Sequence, residues 1–170
     1  MYDLMIIGSG PAGISAALTA KARNLNFIWF GSRALSTKIE KAEKIMNYPG
    51  LPAVTGSEMQ SVFLKQIDDC GITITESQVN SIYDCGGYFA AGADNEIYEA
   101  KAVIMTVGMT TTREIEGEAR LLGCGVSYCA TCDGALYKNK DIAVICASPK
   151  FEDEVTSVSY THLTLPTNSL

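Results

Sequence analysis

Three runs of mostly apolar residues mark the chain, at positions 4–7, 27–30 and 102–107. Such a run is typical of a strand in a parallel sheet, because helices cover both of its faces. Residues 14–23, between the first two runs, are rich in alanine and leucine and predict a helix that ends at Asn24. Strand, helix and strand in this order predict a βαβ unit and an α/β fold.

Shorter segments in the middle of the chain predict a different kind of pairing. Residues 79–84, 88–91 and 96–99 favour short strands, with turn signals at Gly86-Gly87 and Asp94-Asn95. Together they predict a small antiparallel meander.

A helical pattern precedes this meander. Ser57 is the expected N-cap, and residues 72–75 predict a short strand after the helix. The apolar positions that would share one helical face are Met59, Val62, Phe63, Ile67 and Cys70. Further on, residues 142–145 predict a strand that opens a second βαβ-like unit, after a linker near 111–117.

Composition narrows the class of protein. Of the 170 residues, 47% are hydrophobic and 19% charged, which is typical of a globular chain with a core. The net charge of −6 disfavours nucleic acid and anionic membranes as partners, and no apolar run is long enough to cross a bilayer. Without a signal peptide, six cysteines favour the reducing cytoplasm.

A glycine-rich loop follows the first predicted strand. In a dinucleotide-binding turn, the glycine at the place of Gly8 makes the bend, Gly10 admits a pyrophosphate and Gly13 lets helix and strand pack. The pyrophosphate would lie at the helix N-terminus, where N–H groups favour anions. A purely structural glycine turn is the alternative.

The second strand lacks an expected residue. An acid at its end commonly binds the adenosine ribose, but residues 30–33 contain none. Glu40 and Glu43 lie too far along the chain, so Ser32 or the backbone would have to make this contact.

Cys129 and Cys132 form a Cys-x-x-Cys pair, and Asp133 follows directly. Such a pair lowers the pKa of one thiol, and the thiolate is the reactive species in disulfide exchange. A zinc site would need a second pair or two histidines, whereas the chain has one, His162. Redox chemistry is therefore favoured, with half a metal site or two packed thiols as alternatives.

These pieces resemble the low-molecular-weight thioredoxin reductases, which are FAD-dependent disulfide reductases. The matching motifs, in the order of the family, are the loop at 8–13, Asn47-Tyr48-Pro49-Gly50, the strand end at 106–108 and the string at 125–134. The resemblance covers residues 2 to about 157.

The resemblance implies two parts. Residues 1–112 would be a Rossmann-like FAD-binding domain with a parallel sheet and the small antiparallel meander. Residues 113–157 would begin a second, truncated Rossmann-like domain that carries the Cys-x-x-Cys pair.

It also implies roles for the reactive residues. Cys132 would face the flavin, Cys129 would attack the substrate disulfide, and Asp133 would protonate the departing thiolate; a helix N-cap is the alternative role for Asp133. The acceptor would be a thioredoxin-like protein, and the parent enzyme a homodimer.

The implied FAD site draws on several segments. Pro11 and Ala12 join Gly10 at the pyrophosphate, and Asn47 would lie near the flavin unless it merely braces its loop. The expected cofactor-binding residues are Gly8, Ser9, Gly10, Pro11, Ala12, Gly13, Ser32, Asn47, Val79, Thr106 and Gly108.

Two departures from the family bear on the electron donor. Residues 36–39 replace the usual Gly-Gly-Gln-Leu, and the loop at 146–150 holds no glycine where a second dinucleotide turn belongs. Side chains and a proline would fill the space of a pyrophosphate, which argues against NADPH. Clostridial members that are reduced by ferredoxin resemble the chain at both places, so we expect ferredoxin or another protein as donor.

The tail at 158–170 does not resemble the family. Residues 158–167 match one reading frame of a common transposase sequencing adapter, so we expect a tail of non-native origin in a truncated gene; an amphipathic strand is the alternative.

Two other functions stay open, namely the reductase component of a different relay and an inactive nucleotide-binding fragment.

Overall fold

The computed structural model describes residues 1–108, 115–122, 124–127 and 137–146, together with residues 153 and 156. The chain divides into two compact units. The first comprises Met1–Glu40 with Ser57–Arg113, and the second Lys41–Gly56 with Glu114–Leu170.

The first unit begins with the predicted βαβ arrangement. Strand β1 (Tyr2–Ile7) leads into helix α1 (Pro11–Ala22), and strand β2 (Phe27–Phe30) then pairs with β1 in parallel. The helix starts three residues before the predicted Ile14, because proline is well tolerated in the first turn and sits there as Pro11.

The rest of the unit supplies the meander. The next elements in chain order are α2 (Thr37–Glu40), α3 (Gly56–Asp69), β3 (Val79–Asp84), β4 (Phe89–Ala93) and β5 (Glu96–Met105). Asp94 and Asn95 have φ values of 48° and 65°, which is the two-residue turn that their sequence predicts between β4 and β5.

Within the described residues the strands form one five-stranded sheet, in the order β2-β1-β5-β4-β3. Strand β5 joins its two halves, since it runs antiparallel to β4 and parallel to β1. Ala100 sits at the junction, opposite both Tyr2 and Phe89, and is fully buried. The mixed α/β architecture agrees with the Rossmann-like fold expected from the sequence.

The core follows the apolar pattern of the parallel strands. Residues 4–7 are all buried, and Met5 and Ile7 join Ile28 and Phe30 in one cluster with small residues of the meander. Tyr98 packs edge-on against Phe30, with 5.0 Å between ring centroids. Helix α1 packs on β1 and β5.

Several sequence expectations need correction around α3. Ser57 is not the N-cap, because the helix already begins at Gly56. Met59, Phe63 and Ile67 are buried as predicted. Val62 is exposed because it lies at the edge of the apolar stripe, and Cys70 is exposed because it lies beyond the helix, which ends at Asp69. Residues 72–75 form a single parallel bridge from Thr75 to Phe30 instead of a strand.

The run at 102–107 forms the predicted parallel strand as far as Met105, but its burial was predicted wrongly. Ile104, Met105 and Val107 are 40%, 63% and 60% exposed.

In the second unit, helix α4 (Glu118–Leu121) follows Gly117. The strand expected at 142–145 is not formed, and Val144 and Ile145 are exposed. A parallel strand needs a neighbour for its hydrogen bonds, and no described strand pairs with this run. Among the described residues, no helix is long and apolar enough to cross a membrane.

Candidate functional site

A cleft of about 890 Å³ opens at the carboxyl ends of the parallel strands. Ile7, Phe30 and Thr106 end or follow β1, β2 and β5 and all line it, as does the loop between β1 and α1. Ligands of open α/β sheets bind at this edge.

Hydrogen bonds to the Gly8 carbonyl hold the glycine loop in place. It accepts a 2.8 Å hydrogen bond from the indole N–H of Trp29, and the Thr106 hydroxyl lies 3.0 Å from it and 2.9 Å from the Ile7 carbonyl. The Gly8 N–H donates to the Phe30 carbonyl at 2.8 Å. The protein itself therefore holds the turn in shape.

Gly8 and Gly13 are glycines because the protein leaves no room for a side chain. A Cβ on Gly8, whose φ is 113°, would lie 2.3 Å from the Thr106 carbonyl oxygen. A Cβ on Gly13 would lie 2.0 Å from the Gly8 carbonyl oxygen. These contacts are those of the tight turn and of close helix–strand packing.

Gly10 differs from both. A Cβ there would meet no heavy atom of the described residues within 4 Å, and its φ of −72° suits any residue. Nothing in the described fold requires glycine at this position, but Gly10 lines the cleft. A group held against the backbone in the cleft would require it, as a dinucleotide pyrophosphate does.

The N-terminus of α1 carries a partial positive charge, which suits an anionic group in the cleft. Gly10 caps the helix without a side-chain hydrogen bond, and the first bond along the helix runs from the Ile14 N–H to the Gly10 carbonyl at 3.0 Å. The N–H groups of the first turn thus point out of the helix beside Pro11 and Ala12, where they favour a phosphate. The residues present fit the pyrophosphate of FAD.

Ser9 was predicted among the cofactor residues, and the structure gives its hydroxyl a bracing role. The side chain is buried, donates to the Leu35 carbonyl at 3.0 Å and accepts from the Ser32 N–H at 3.0 Å. A Cβ on Gly31 would lie 2.5 Å from the Cβ of Ser9. Ser9 thus fixes the loop after β2 against the glycine turn.

An acid does stand at the end of β2, although it comes from another segment. Glu76 Oε1 accepts the Arg33 N–H at 2.8 Å and the Ser32 hydroxyl at 3.4 Å. The bridge from Thr75 to Phe30 brings Glu76 there. The signal available in the sequence was the β-branched segment at 72–75, which predicts a short strand and ends directly before this glutamate.

Most of the predicted cofactor residues converge on the cleft. Those that line it are Gly8, Ser9, Gly10, Pro11, Ala12, Ser32, Val79, Thr106 and Gly108. Gly13 is buried behind them. Sequence reasoning missed Glu76 and Lys38, which also line the cleft, and the brace from Trp29.

The remaining predicted residues are not part of this wall. Asn47 is exposed in a loop of the second unit, and its place near a flavin stays a prediction. Cys129, Cys132 and Asp133 lie outside the described residues, as do the loop at 147–150 and the tail at 158–170.

A parallel βαβ unit with a glycine turn open to the cleft defines a dinucleotide-binding protein of the Rossmann type. The sequence comparison then gives the family. Residues 2–149 match the family model of pyridine nucleotide-disulphide oxidoreductase, and the chain belongs to that family of oxidoreductases. Family membership implies a flavin cofactor.

The chain is similar to proteins named thioredoxin reductase. The one from Bacillus subtilis is 32% identical over 146 residues, which cover 85% of this chain and 46% of that protein. The chain spans about half the length of the curated relatives it matches.

Solved structures give the same picture. A ferredoxin-flavin thioredoxin reductase from Clostridium acetobutylicum is 42% identical, with a TM-score of 0.64 over 99% of this chain and 61% of that chain. The thioredoxin reductase from Streptococcus pyogenes is 32% identical, with a TM-score of 0.79 over 95% of this chain and 53% of that chain.

Proposed function

We propose that this chain belongs to a thioredoxin reductase-type flavoprotein, which passes electrons from FAD through Cys129 and Cys132 to the disulfide of a thioredoxin-like protein. The observation that carries the proposal is Gly10, which is open to the cleft and needed by nothing in the described fold. The same chain carries the Cys-x-x-Cys-Asp motif.

The cleft would hold the adenosine and pyrophosphate part of FAD. Gly10, Pro11 and Ala12 present the helix N-terminus to the pyrophosphate, while Val79 and Gly108 line the walls. When bound and reduced by its electron donor, the flavin would supply the electron pair that reduces the disulfide between Cys129 and Cys132.

The dithiol would then perform the exchange. The Cys129 thiolate attacks the partner disulfide and forms a mixed disulfide, releasing one partner thiolate, which Asp133 protonates. The Cys132 thiolate attacks Cys129 in that mixed disulfide and releases the second partner thiolate, which takes a proton in turn. The dithiol is thereby oxidised and the partner disulfide reduced, by two electrons each.

For the electron donor, we infer ferredoxin or another protein in place of NADPH. The loop at 146–150 has no glycine where a second dinucleotide turn belongs. The 42% identity to a ferredoxin-flavin thioredoxin reductase supports the same inference.

The cell compartment and assembly follow as parts of the proposal. Cys70, Cys85 and Cys124 are exposed free thiols, which favours the cytoplasm, where thiols stay reduced. We propose a homodimer on the resemblance alone.

The proposal is tested on the protein expressed from its full reading frame and loaded with FAD under anaerobic conditions. Reduced ferredoxin is expected to bleach the flavin absorbance, and added oxidised thioredoxin to restore it while thioredoxin thiols appear. Cys129→Ser should abolish the thiols formed on thioredoxin but keep the bleaching.

The outcomes separate the two parts of the proposal. Rapid bleaching by NADPH would overturn the choice of donor and leave the disulfide reductase standing. A reduced, FAD-loaded protein that forms no thioredoxin thiols would overturn the reductase itself.

A further inference from the structure

The end of β2 holds an acid that the strand itself does not supply. The Thr75 N–H donates to the Trp29 carbonyl at 2.7 Å, and the Gly31 N–H donates to the Thr75 carbonyl at 3.1 Å. The segment before Glu76 therefore runs alongside β2, and Glu76 emerges at the same carboxyl end of the sheet.

One oxygen of the Glu76 carboxylate accepts hydrogen bonds, and the other accepts none from the described residues. Oε1 accepts the Arg33 N–H at 2.8 Å and the Ser32 hydroxyl at 3.4 Å. Among the described residues no group donates to Oε2, and Glu76 lines the cleft. An ionised carboxylate accepts hydrogen bonds from two hydroxyl groups well, which is what a ribose diol offers.

The neighbouring arginine is tied away from this position. Arg33 Nη2 lies 3.0 Å from both carboxylate oxygens of Asp68. In this fold an arginine near the end of β2 accommodates a ribose 2′-phosphate, and here its charge is already paired.

We propose that Glu76 is the specificity-determining residue that binds the adenosine ribose hydroxyls and disfavours a 2′-phosphate. The inference rests on the proposed function, since it takes a dinucleotide such as FAD in this cleft. A free phosphate on the ribose would meet the Glu76 carboxylate and a neutralised Arg33, and like charges at close range repel.

The test compares Glu76→Gln with the unaltered chain. Glutamine keeps an oxygen for the Arg33 N–H, so the loop keeps its brace while the ribose loses a charged acceptor. The matched control is Asp69→Asn, which removes one negative charge from α3 at a residue that does not line the cleft. Binding of ADP, 2′-deoxy-ADP and 2′,5′-ADP is measured by calorimetric titration of the FAD-free protein, because FAD carries the same ribose, and FAD binding is measured separately.

We expect Glu76→Gln to bind ADP about tenfold more weakly than the unaltered chain, as for the loss of a hydrogen bond to a charged group. The loss should be much smaller for 2′-deoxy-ADP, and the variant should discriminate less against 2′,5′-ADP. Asp69→Asn should leave all three affinities unchanged.

Three results would contradict the inference in different ways. Equal ADP affinity in Glu76→Gln, with FAD still bound, would overturn the role of Glu76. Equal losses for ADP and 2′-deoxy-ADP would show that Glu76 only braces its loop. An unaltered chain that binds neither FAD nor ADP would overturn the proposed function, and the inference with it.

Discussion

At the scale of the residue, the three glycines of the loop at 8–13 are required for different reasons. Gly8 and Gly13 are required by packing, because any Cβ would collide with the backbone of the turn or of the strand end. Gly10 meets no such obstacle. Stability and cofactor affinity should therefore respond separately to substitutions only a few residues apart.

Gly10→Ala should weaken FAD binding at least about tenfold, because its methyl group would stand where the backbone meets the pyrophosphate. Its free energy of unfolding should fall by no more than about 1 kcal/mol, the cost of alanine at an N-cap. Gly13→Ala should lose about 1–3 kcal/mol, since the methyl group overpacks the turn. Urea unfolding and FAD fluorescence titration measure the two quantities, and unchanged FAD affinity in Gly10→Ala would remove the pyrophosphate from this position.

At the scale of the element, an ion pair ties together the starts of the parallel strands. Lys101 Nζ of β5 lies 2.7 Å from Asp3 Oδ1 of β1, and the Asn26 N–H donates to Asp3 Oδ2 at 3.1 Å. The hydrogen bond from Lys101 lowers the pKa of Asp3 below its ordinary 3.8, and the Asn26 N–H adds to this effect.

A group whose pKa falls on folding stabilises the fold above its unfolded pKa, and this contribution is lost as the pH falls through the folded value. Asp3→Asn, which keeps an oxygen for the Asn26 N–H, should therefore lower the urea midpoint at pH 7. The gap to the unaltered chain should close as the medium is acidified below the ordinary pKa of 3.8. Because the ion pair is exposed, added salt should also narrow the difference in urea midpoint between Asp3→Asn and the unaltered chain.

Lys101→Gln provides the matching half of a double-mutant cycle. The double variant should be no less stable than either single one if the pair acts as a unit. A gap that persists unchanged in acid would show that Asp3 acts through something other than its charge.

The elements also show where sequence patterns suffice. The runs at 4–7 and 27–30 are short, apolar and followed by turn residues, which is the pattern of a buried strand. The structure confirms both strands. Residues 142–145 have the same pattern but no described strand beside them, and a strand is not formed by pattern alone.

The residues of the site also divide into those that the sequence predicts and those that it does not. The glycine loop is local in sequence, so its residues could be named in advance. Glu76 reaches β2 through a tertiary bridge at Thr75, and no spacing in the sequence relates it to Ser32. The acid missing from β2 could be noticed from the sequence, but its replacement could not be located there.

At the scale of the whole molecule, the chain exposes apolar side chains that strands usually bury. Ile97 and Met105 of β5 are 76% and 63% exposed, and Val107 beyond it is 60% exposed. Met105 and Val107 are only two residues apart at the end of β5, and neighbouring exposed apolar side chains favour association.

The 170-residue chain should therefore self-associate as its concentration rises, as measured by size-exclusion chromatography with light scattering. Met105→Thr should increase the monomer fraction at little cost in stability, within about 0.5 kcal/mol, since an exposed side chain is changed. Met5→Thr is the matched control, because the same change at a fully buried position should cost about 2–4 kcal/mol. A chain that stays monomeric at every concentration would contradict this prediction.

The Gly8 carbonyl, held between Trp29 and Thr106, has a consequence for kinetics. A turn that the protein shapes by itself needs no ordering when a ligand arrives, so binding loses little conformational entropy there. Association with the loop should then be similar in rate for all tight-binding nucleotides, and their differences in affinity should appear in how fast they leave. The loop can release a nucleotide and take up another without refolding in between.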